Sequence, residues 1–127
     1  MVTQNTCRVV VTGLGVISPI GLTVPGMWAA LLSGQSGIDH ISTFDTSSFT
    51  TRVAAEVKNF VATDYMDRKQ VRHMDRFAQF ALAASLQAIE SSRLVINADN
   101  AEDVGVIIGS SVCGLLSVCE QLKVLAE

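Results

Sequence analysis

Near its start, over residues 8–21, the chain reads RVVVTGLGVISPIG. The three consecutive valines at 9–11 are β-branched and apolar, a composition typical of a strand that is buried on both faces. Gly13 and Gly15 follow at once, and glycine is favoured where the backbone has positive φ or lies close to another segment. The stretch therefore predicts a buried strand that leads into a tight loop.

The next segment carries the signals of a short helix. Thr23 is suited to cap it, Pro25 falls in its first turn, and Gly34 is placed to stop it. This helix is expected to bury four large apolar side chains, namely Met27, Trp28, Leu31 and Leu32.

Further along, residues 51–57 predict another strand.

Residues 68–93 are predicted to form one long helix, because their apolar positions recur at intervals of three to four residues. Residues 104–108 predict a second buried strand, and residues 115–125 predict another helix. Strand, helix, helix, strand and helix in this order indicate an α/β fold. The apolar positions of the long helix are Val71, Met74, Phe77, Ala78, Ala81, Ala84, Ala88 and Ile89.

The composition is poor in charge for a chain of this size. Charged residues make up 17%, against about 25% in soluble domains, and the mean hydropathy is +0.40. A small domain has much surface for its volume and normally needs more charge than this. We therefore expect the chain to be part of a larger protein and some of its surface to lie in an oligomer interface. The net charge of −3 argues against a general nucleic-acid binder.

The residues predict no metal site, no cofactor, no disulfide framework and no targeting segment. Cys7, Cys113 and Cys119 form no CxxC pair and are odd in number, so a reduced, cytoplasmic setting is expected. The two histidines show no metal-ligand spacing. The uncharged run at 9–38 is too interrupted by glycine, proline and hydroxyl residues for a signal peptide or a membrane helix.

Gly13-Leu14-Gly15 after a predicted strand also invites comparison with a dinucleotide-binding fingerprint. That fingerprint needs a third glycine three residues after the second, so that the loop can close against the helix. Ser18 stands at that position and Pro19 follows it. The dinucleotide interpretation therefore fails, and a closely packed turn is the better one.

Basic side chains cluster at the start of the long predicted helix, with only Asp75 to oppose them. On a continuous helix, positions 69, 72, 73 and 76 share one face, which would suit an acidic partner. A solvated helix face with an Arg72–Asp75 ion pair is the simple alternative. The cluster consists of Arg68, Lys69, Arg72, His73 and Arg76.

The turn GSSVCG at 109–114 is rich in small residues, which let a ligand or another backbone approach closely. Cys113 would lie near a helix N-terminus, where a thiolate is stabilised. However, no histidine is near it in the sequence, and a buried, unreactive cysteine is the commoner case. We therefore assign no catalytic role to it.

Five stretches of the sequence, taken in their order and spacing, indicate a family resemblance. They are the opening loop at 8–21, WAALLSGQSGI at 28–38, FDTS at 44–47, RKQVRHMDRF at 68–77, and residues 104–114. Together they resemble the β-ketoacyl-ACP synthases, the condensing enzymes of fatty-acid synthesis, and most of all the elongating type II enzymes. The resemblance covers about residues 8–122.

This resemblance implies a thiolase-like α/β fold with two similar halves in a homodimer, of which this chain would form the first part of the N-terminal half. In the family, an acyl chain passes from acyl carrier protein to a cysteine thiolate, and two histidines assist decarboxylation of malonyl-ACP. By position these groups fall after Glu127, and His40 and His73 do not match them. Residues 1–127 are thus expected to be an incomplete N-terminal domain, inactive alone.

Two binding roles are also implied by the resemblance. Lys69, Arg72 and His73 match the basic patch that docks acyl carrier protein, and Val112 matches an apolar position that gates the acyl pocket. The implied function is an acyltransferase that condenses acyl-ACP with malonyl-ACP in cytoplasmic fatty-acid elongation. Two alternatives stay open: a polyketide-type ketosynthase or chain-length-factor subunit, and a non-catalytic fragment that docks carrier protein or dimerises.

Overall fold

The structure, a computed structural model, describes residues 8–126. Helices predominate in it, and one antiparallel pair of short strands accompanies them. No helix within this range is long and apolar enough to cross a membrane. The elements are α1 (Val24–Leu32), β1 (Ile38–His40), β2 (Val53–Ala55), α2 (Arg68–His73), α3 (Arg76–Ser92) and α4 (Leu115–Ala126), with single 3-10 turns at Ala62–Asp64 and Ala101–Asp103.

The opening loop lies directly against the backbone of α3. A methyl group on Gly15 would overlap the carbonyl oxygen of Ala84, and one on Gly13 would lie 2.6 Å from the amide nitrogen of Ser92. Close approach is therefore the reason for both glycines, as one of the two sequence interpretations predicted. The predicted tight turn follows, since Ser18 and Gly21 exchange backbone hydrogen bonds of 2.9 and 3.3 Å.

Gln87 of α3 ties this loop to two other segments. Its Oε1 accepts a hydrogen bond from the backbone amide of Val16 at 3.1 Å. Its Nε2 donates to the carbonyl of Leu22 at 2.8 Å and to the hydroxyl of Tyr65 at 3.2 Å. All three bonds are partly buried, so each compensates for polar groups removed from water.

The core sits around α3. Ala83, on this helix, is fully buried, and Ala30 and Met66 are the other buried apolar residues in the described part of the chain. Phe60 packs edge-on against Phe80 of α3, with ring centroids 4.9 Å apart. Small residues on α3, among them Ala83, Ala84 and Ala88, thus let other segments lie close to it.

β1 and β2 form an antiparallel ribbon with Asp39 opposite Ala54. β2 falls inside the predicted strand at 51–57, whereas β1 was not predicted. Beside the ribbon, the carboxylate of Glu56 accepts hydrogen bonds from the side-chain hydroxyls and backbone amides of Ser42 and Thr43. These bonds, the side-chain ones first, lower the pKa of Glu56 to about 2, because they favour its charged form.

The two predicted buried strands at 9–11 and 104–108 are wrong for the described chain. Neither stretch forms a strand, and neither pairs with another segment in a sheet within residues 8–126. Val9 is 92% exposed and Ile107 is 100% exposed. A strand needs a hydrogen-bonded neighbour, and residues 8–126 supply none to either stretch. Val106 and Ile108 instead line an open apolar cavity of about 490 Å³ along α3.

The ends of α1 are as predicted, but its burial is not. Thr23 caps the helix by accepting a hydrogen bond from the amide of Gly26, Pro25 lies in the first turn, and Gly34 follows the end with φ +68°. The expected inward face is wrong: Trp28 is 60% exposed, and Leu31, Leu32 and part of Met27 are also exposed. Ala30 is the buried residue of this helix.

The long helix predicted at 68–93 is interrupted. α2 ends at His73, Met74 is extended with ψ 128°, and α3 starts at Arg76. At its other end α3 ends at Ser92, and the next residue, Arg93, has the left-handed φ of 57°. The apolar spacing continues through the break, so periodicity alone cannot reveal it. The helix predicted at 115–125 is confirmed as α4.

The close approach of the opening loop to α3 yields a stability prediction. Gly15→Ala should lower the free energy of unfolding by about 1–3 kcal/mol, because the added methyl group overpacks the contact with Ala84. Denaturant unfolding would measure the change. Gly105→Ala is the matched control, since no described atom lies within 4 Å of a methyl group there. Equal midpoints for the two variants would contradict the prediction.

Candidate functional site

Helix α2 carries the predicted binding residues and is closed at its start by two reciprocal hydrogen bonds. The carboxylate of Asp67 accepts from the amide of Gln70 at 2.8 Å, and the side-chain oxygen of Gln70 accepts from the amide of Asp67 at 3.1 Å. Such a capping box satisfies two of the amides that a helix start leaves without partners. It lets a helix of only six residues form here.

Lys69, Arg72 and His73, which we call the docking surface, are all exposed on α2. Their spacing of three and four residues places them on one face of the helix. The predicted Arg72–Asp75 ion pair is wrong, because Lys58 with Asp39, at 2.6 Å, is the ion pair found in residues 8–126. Arg72 and His73 lie in the last turn, where positive charge is favourable to the helix dipole.

Arg76 does not belong to α2, contrary to the predicted continuous helix, and its guanidinium is bound by other segments. Its Nη2 donates to the carbonyl of Val57 at 2.9 Å. Its guanidinium carbon lies 4.9 Å from the ring centroid of Phe80 and 6.0 Å from that of Phe60. The extended backbone at Met74 is the reason, since it restarts the helix in a new register. Arg76 thus holds two segments together by a hydrogen bond and a cation–π contact.

Asp75, between the two helices, binds the start of α4. Its Oδ2 accepts a hydrogen bond from the hydroxyl of Ser117 at 2.7 Å and another from the Ser117 amide at 3.1 Å. These bonds, the hydroxyl's first, lower the pKa of Asp75, because they favour the carboxylate. The sequence analysis treated Asp75 only as a countercharge, and nothing in the sequence identifies a partner 42 residues away.

Two cavities, each of about 230 Å³, meet at the turn formed by Asp75 and Arg76. The first, which we call the basic cleft, is bordered by charged and polar side chains. The second, which we call the Val112 cavity, is bordered mostly by aromatic and aliphatic ones. The basic cleft includes Arg72, His73, Asp75, Arg76, Ser117 and Glu120, and the Val112 cavity includes Asp75, Arg76, Phe77, Phe80, Val112 and Leu115.

The structure therefore places two of the predicted docking residues and the predicted pocket residue on either side of one turn. Arg72 and His73 border the basic cleft, while Val112, 66% exposed, borders the other cavity. Lys69 lies on the same helix face but outside the cleft. This arrangement can offer positive charge to an acidic surface and, a few residues away, an apolar opening to a hydrocarbon chain.

The structure assembles no nucleophilic or metal centre from the described residues. Cys113 is exposed, so its interpretation as a buried cysteine is wrong, and Cys119 is exposed as well. Cys7 lies outside the described residues. His40 belongs to β1 and His73 to α2, and no group of three metal-binding side chains occurs in residues 8–126.

Comparison with known proteins identifies the pattern. Residues 6–124 match the family described as Beta-ketoacyl synthase, N-terminal domain. The chain is 53% identical over 108 residues to 3-oxoacyl-[acyl-carrier-protein] synthase 2 of Vibrio cholerae, covering 85% of this chain and 26% of that protein. It is 48% identical over 120 residues to the Synechocystis protein of the same name, covering 94% of this chain and 29% of that one.

Among solved structures, the ishigamide ketosynthase/chain length factor is similar in fold. It superposes with a TM-score of 0.63 at 37% identity, over 68% of this chain and 21% of that chain. The chain thus spans between a quarter and a third of the length of the two curated relatives named above.

Proposed function

The chain belongs to the β-ketoacyl synthase family and has its thiolase-like α/β fold, and from this we propose that it works in fatty-acid elongation. Residues 1–127 would be part of the N-terminal domain of an acyltransferase that joins an acyl group to malonyl-ACP with loss of carbon dioxide. The observation that carries the proposal is identity of about half the residues, along most of the chain, to proteins named 3-oxoacyl-[acyl-carrier-protein] synthase 2.

The reaction itself can be tested in the protein as its source makes it. Incubation with acyl-ACP and malonyl-ACP should give a 3-oxoacyl-ACP two carbons longer than the acyl substrate, detected by the intact mass of the carrier protein. Absence of this product under conditions where a known condensing enzyme forms it would contradict the proposed function.

The fold match to a ketosynthase/chain length factor favours one second candidate, a polyketide-type subunit. The two candidates differ in whether the protein accepts an acyl group on a cysteine. An elongating synthase should gain the mass of the acyl group when mixed with acyl-ACP alone, whereas a chain-length-factor subunit, which lacks that cysteine, should not.

We further propose that the docking surface binds acyl carrier protein. Lys69, Arg72 and His73 are exposed on one face of a capped helix, and such a patch attracts an acidic protein through long-range electrostatics. Because the chain as a whole has a net charge of −3, this surface differs in sign from the overall charge. Arg76 is not part of this surface, because its guanidinium is held by Val57 and Phe80.

Val112 is proposed to border the acyl pocket. It stands at the edge of an apolar cavity with Phe77 and Phe80, a setting that suits a hydrocarbon chain. A cytoplasmic location and a homodimer complete the proposal. The exposed thiols of Cys113 and Cys119 support a reducing compartment, and the many exposed apolar side chains support a protein–protein interface.

Charge reversal should weaken carrier-protein binding. Lys69→Glu with Arg72→Glu should raise the apparent KM for acyl-ACP on the order of tenfold at low salt and flatten its salt dependence, because two attractive contacts become repulsive. Steady-state kinetics at two ionic strengths would measure both effects. Lys123→Glu, a reversal on α4 outside the docking surface, is the control. An unchanged KM at low salt would reject the docking role.

Enlarging Val112 should shorten the acyl chains that the enzyme accepts. Val112→Phe should reduce kcat/KM for long acyl-ACPs more than for short ones, because the larger ring occupies part of the cavity. Val112→Ile is the control, as it adds one carbon and keeps the β-branch. An equal loss for all chain lengths would contradict the gating role.

A further inference from the structure

Asp75 borders both cavities, and its side chain accepts hydrogen bonds from Ser117 of α4. One of its carboxylate oxygens, Oδ2, receives both hydrogen bonds from Ser117, the hydroxyl's at 2.7 Å and the amide's at 3.1 Å. Bonds from two donors of one residue to a single carboxylate oxygen fix both the position and the rotamer of that residue. The link joins segments that are 42 residues apart.

The bond to Ser117 lies at the start of α4. Ser117 is the third residue of α4, within the first turn, where backbone amides have no partner inside the helix. A carboxylate at this end also interacts favourably with the helix dipole. Gly114 precedes the helix with φ +72°, and a Cβ there would lie 3.9 Å from the same Asp75 oxygen. Contacts with Asp75 thus constrain the direction in which the chain enters α4.

Val112 lies two residues before this glycine, so its place beside Phe77 and Phe80 depends on the same anchor. On the other side of the turn, Arg72 and His73 end α2 immediately before Met74. Arg76 holds its own side of the turn through Val57 and Phe80. The bond between Asp75 and Ser117 is the link from this turn to the segment that carries Val112.

We propose that Asp75 is a positioning residue that holds the Val112 segment in a fixed place relative to the docking surface, and so sets which acyl chains a docked carrier protein can deliver. Ser117 is its partner in this role. The inference rests on the proposed function and adds to it a determinant of acyl-chain selectivity that does not touch the acyl chain. The lowered pKa of Asp75 agrees with it, because the carboxylate stays charged near neutral pH.

The test compares acyl-chain selectivity in the full-length natural protein. Ser117→Ala removes the shorter of the two bonds and keeps the backbone amide. The ratio of kcat/KM for a long acyl-ACP to that for a short one should change about fivefold, the factor that corresponds to one hydrogen bond. Ser117→Thr, which keeps the hydroxyl, should restore the ratio. Ser91→Ala, at an exposed serine of α3 outside both cavities, should leave it unchanged.

Each outcome decides the matter. A changed ratio that Ser117→Thr restores, at a KM for malonyl-ACP close to the original, supports the positioning role. An equal fall in kcat/KM for both chain lengths, or an unchanged ratio, overturns it, because loss of helix stability alone affects all substrates alike. Absence of any condensation product from the unaltered protein would reject the proposed function, and this role of Asp75 with it.

Discussion

The fold depends on the close approach of a glycine-containing loop to the backbone of α3. At Gly13 and Gly15 the distance leaves no room for a side chain, so the opening loop can lie there only because both residues lack one. Gln87 then compensates for backbone groups of Val16 and Leu22 that are partly removed from water, and it also donates to the side-chain hydroxyl of Tyr65. One helix thereby organises segments from residue 13 to residue 65.

The same helix positions the functional surfaces, because the turn where the two cavities meet lies at its N-terminus. Asp75 and Arg76 are neighbours in sequence but bind in opposite directions, Asp75 to Ser117 and Arg76 to Val57. A basic cleft and a mostly apolar cavity therefore adjoin at this turn. That separation matters in a reaction of the proposed kind, in which a charged protein delivers a hydrocarbon chain.

The low charge of the sequence and the exposure of its apolar segments have the same explanation, which is that part of this surface is suited to contact with other protein. The stretches at 9–11 and 104–108 have the composition of central strands, yet they pair with nothing in residues 8–126. The outer face of α1 is likewise uncovered. Exposed apolar surface on this scale is characteristic of surfaces that other protein covers, which agrees with a chain spanning 26% and 29% of two curated relatives.

The sequence by itself determined what local chemistry controls. Thr23, Pro25 and Gly34 predicted both ends of α1, and the glycines of the opening loop predicted its close packing, because caps and steric limits act within a few residues. Only the tertiary structure decided the break at Met74, the departure of Arg76 from the docking surface, the exposure of the two β-branched stretches and the bond from Asp75 to Ser117. Those features depend on partners that are far away in sequence or absent from residues 8–126. Apolar periodicity predicts which side chains are buried, but it does not identify the residues that they contact.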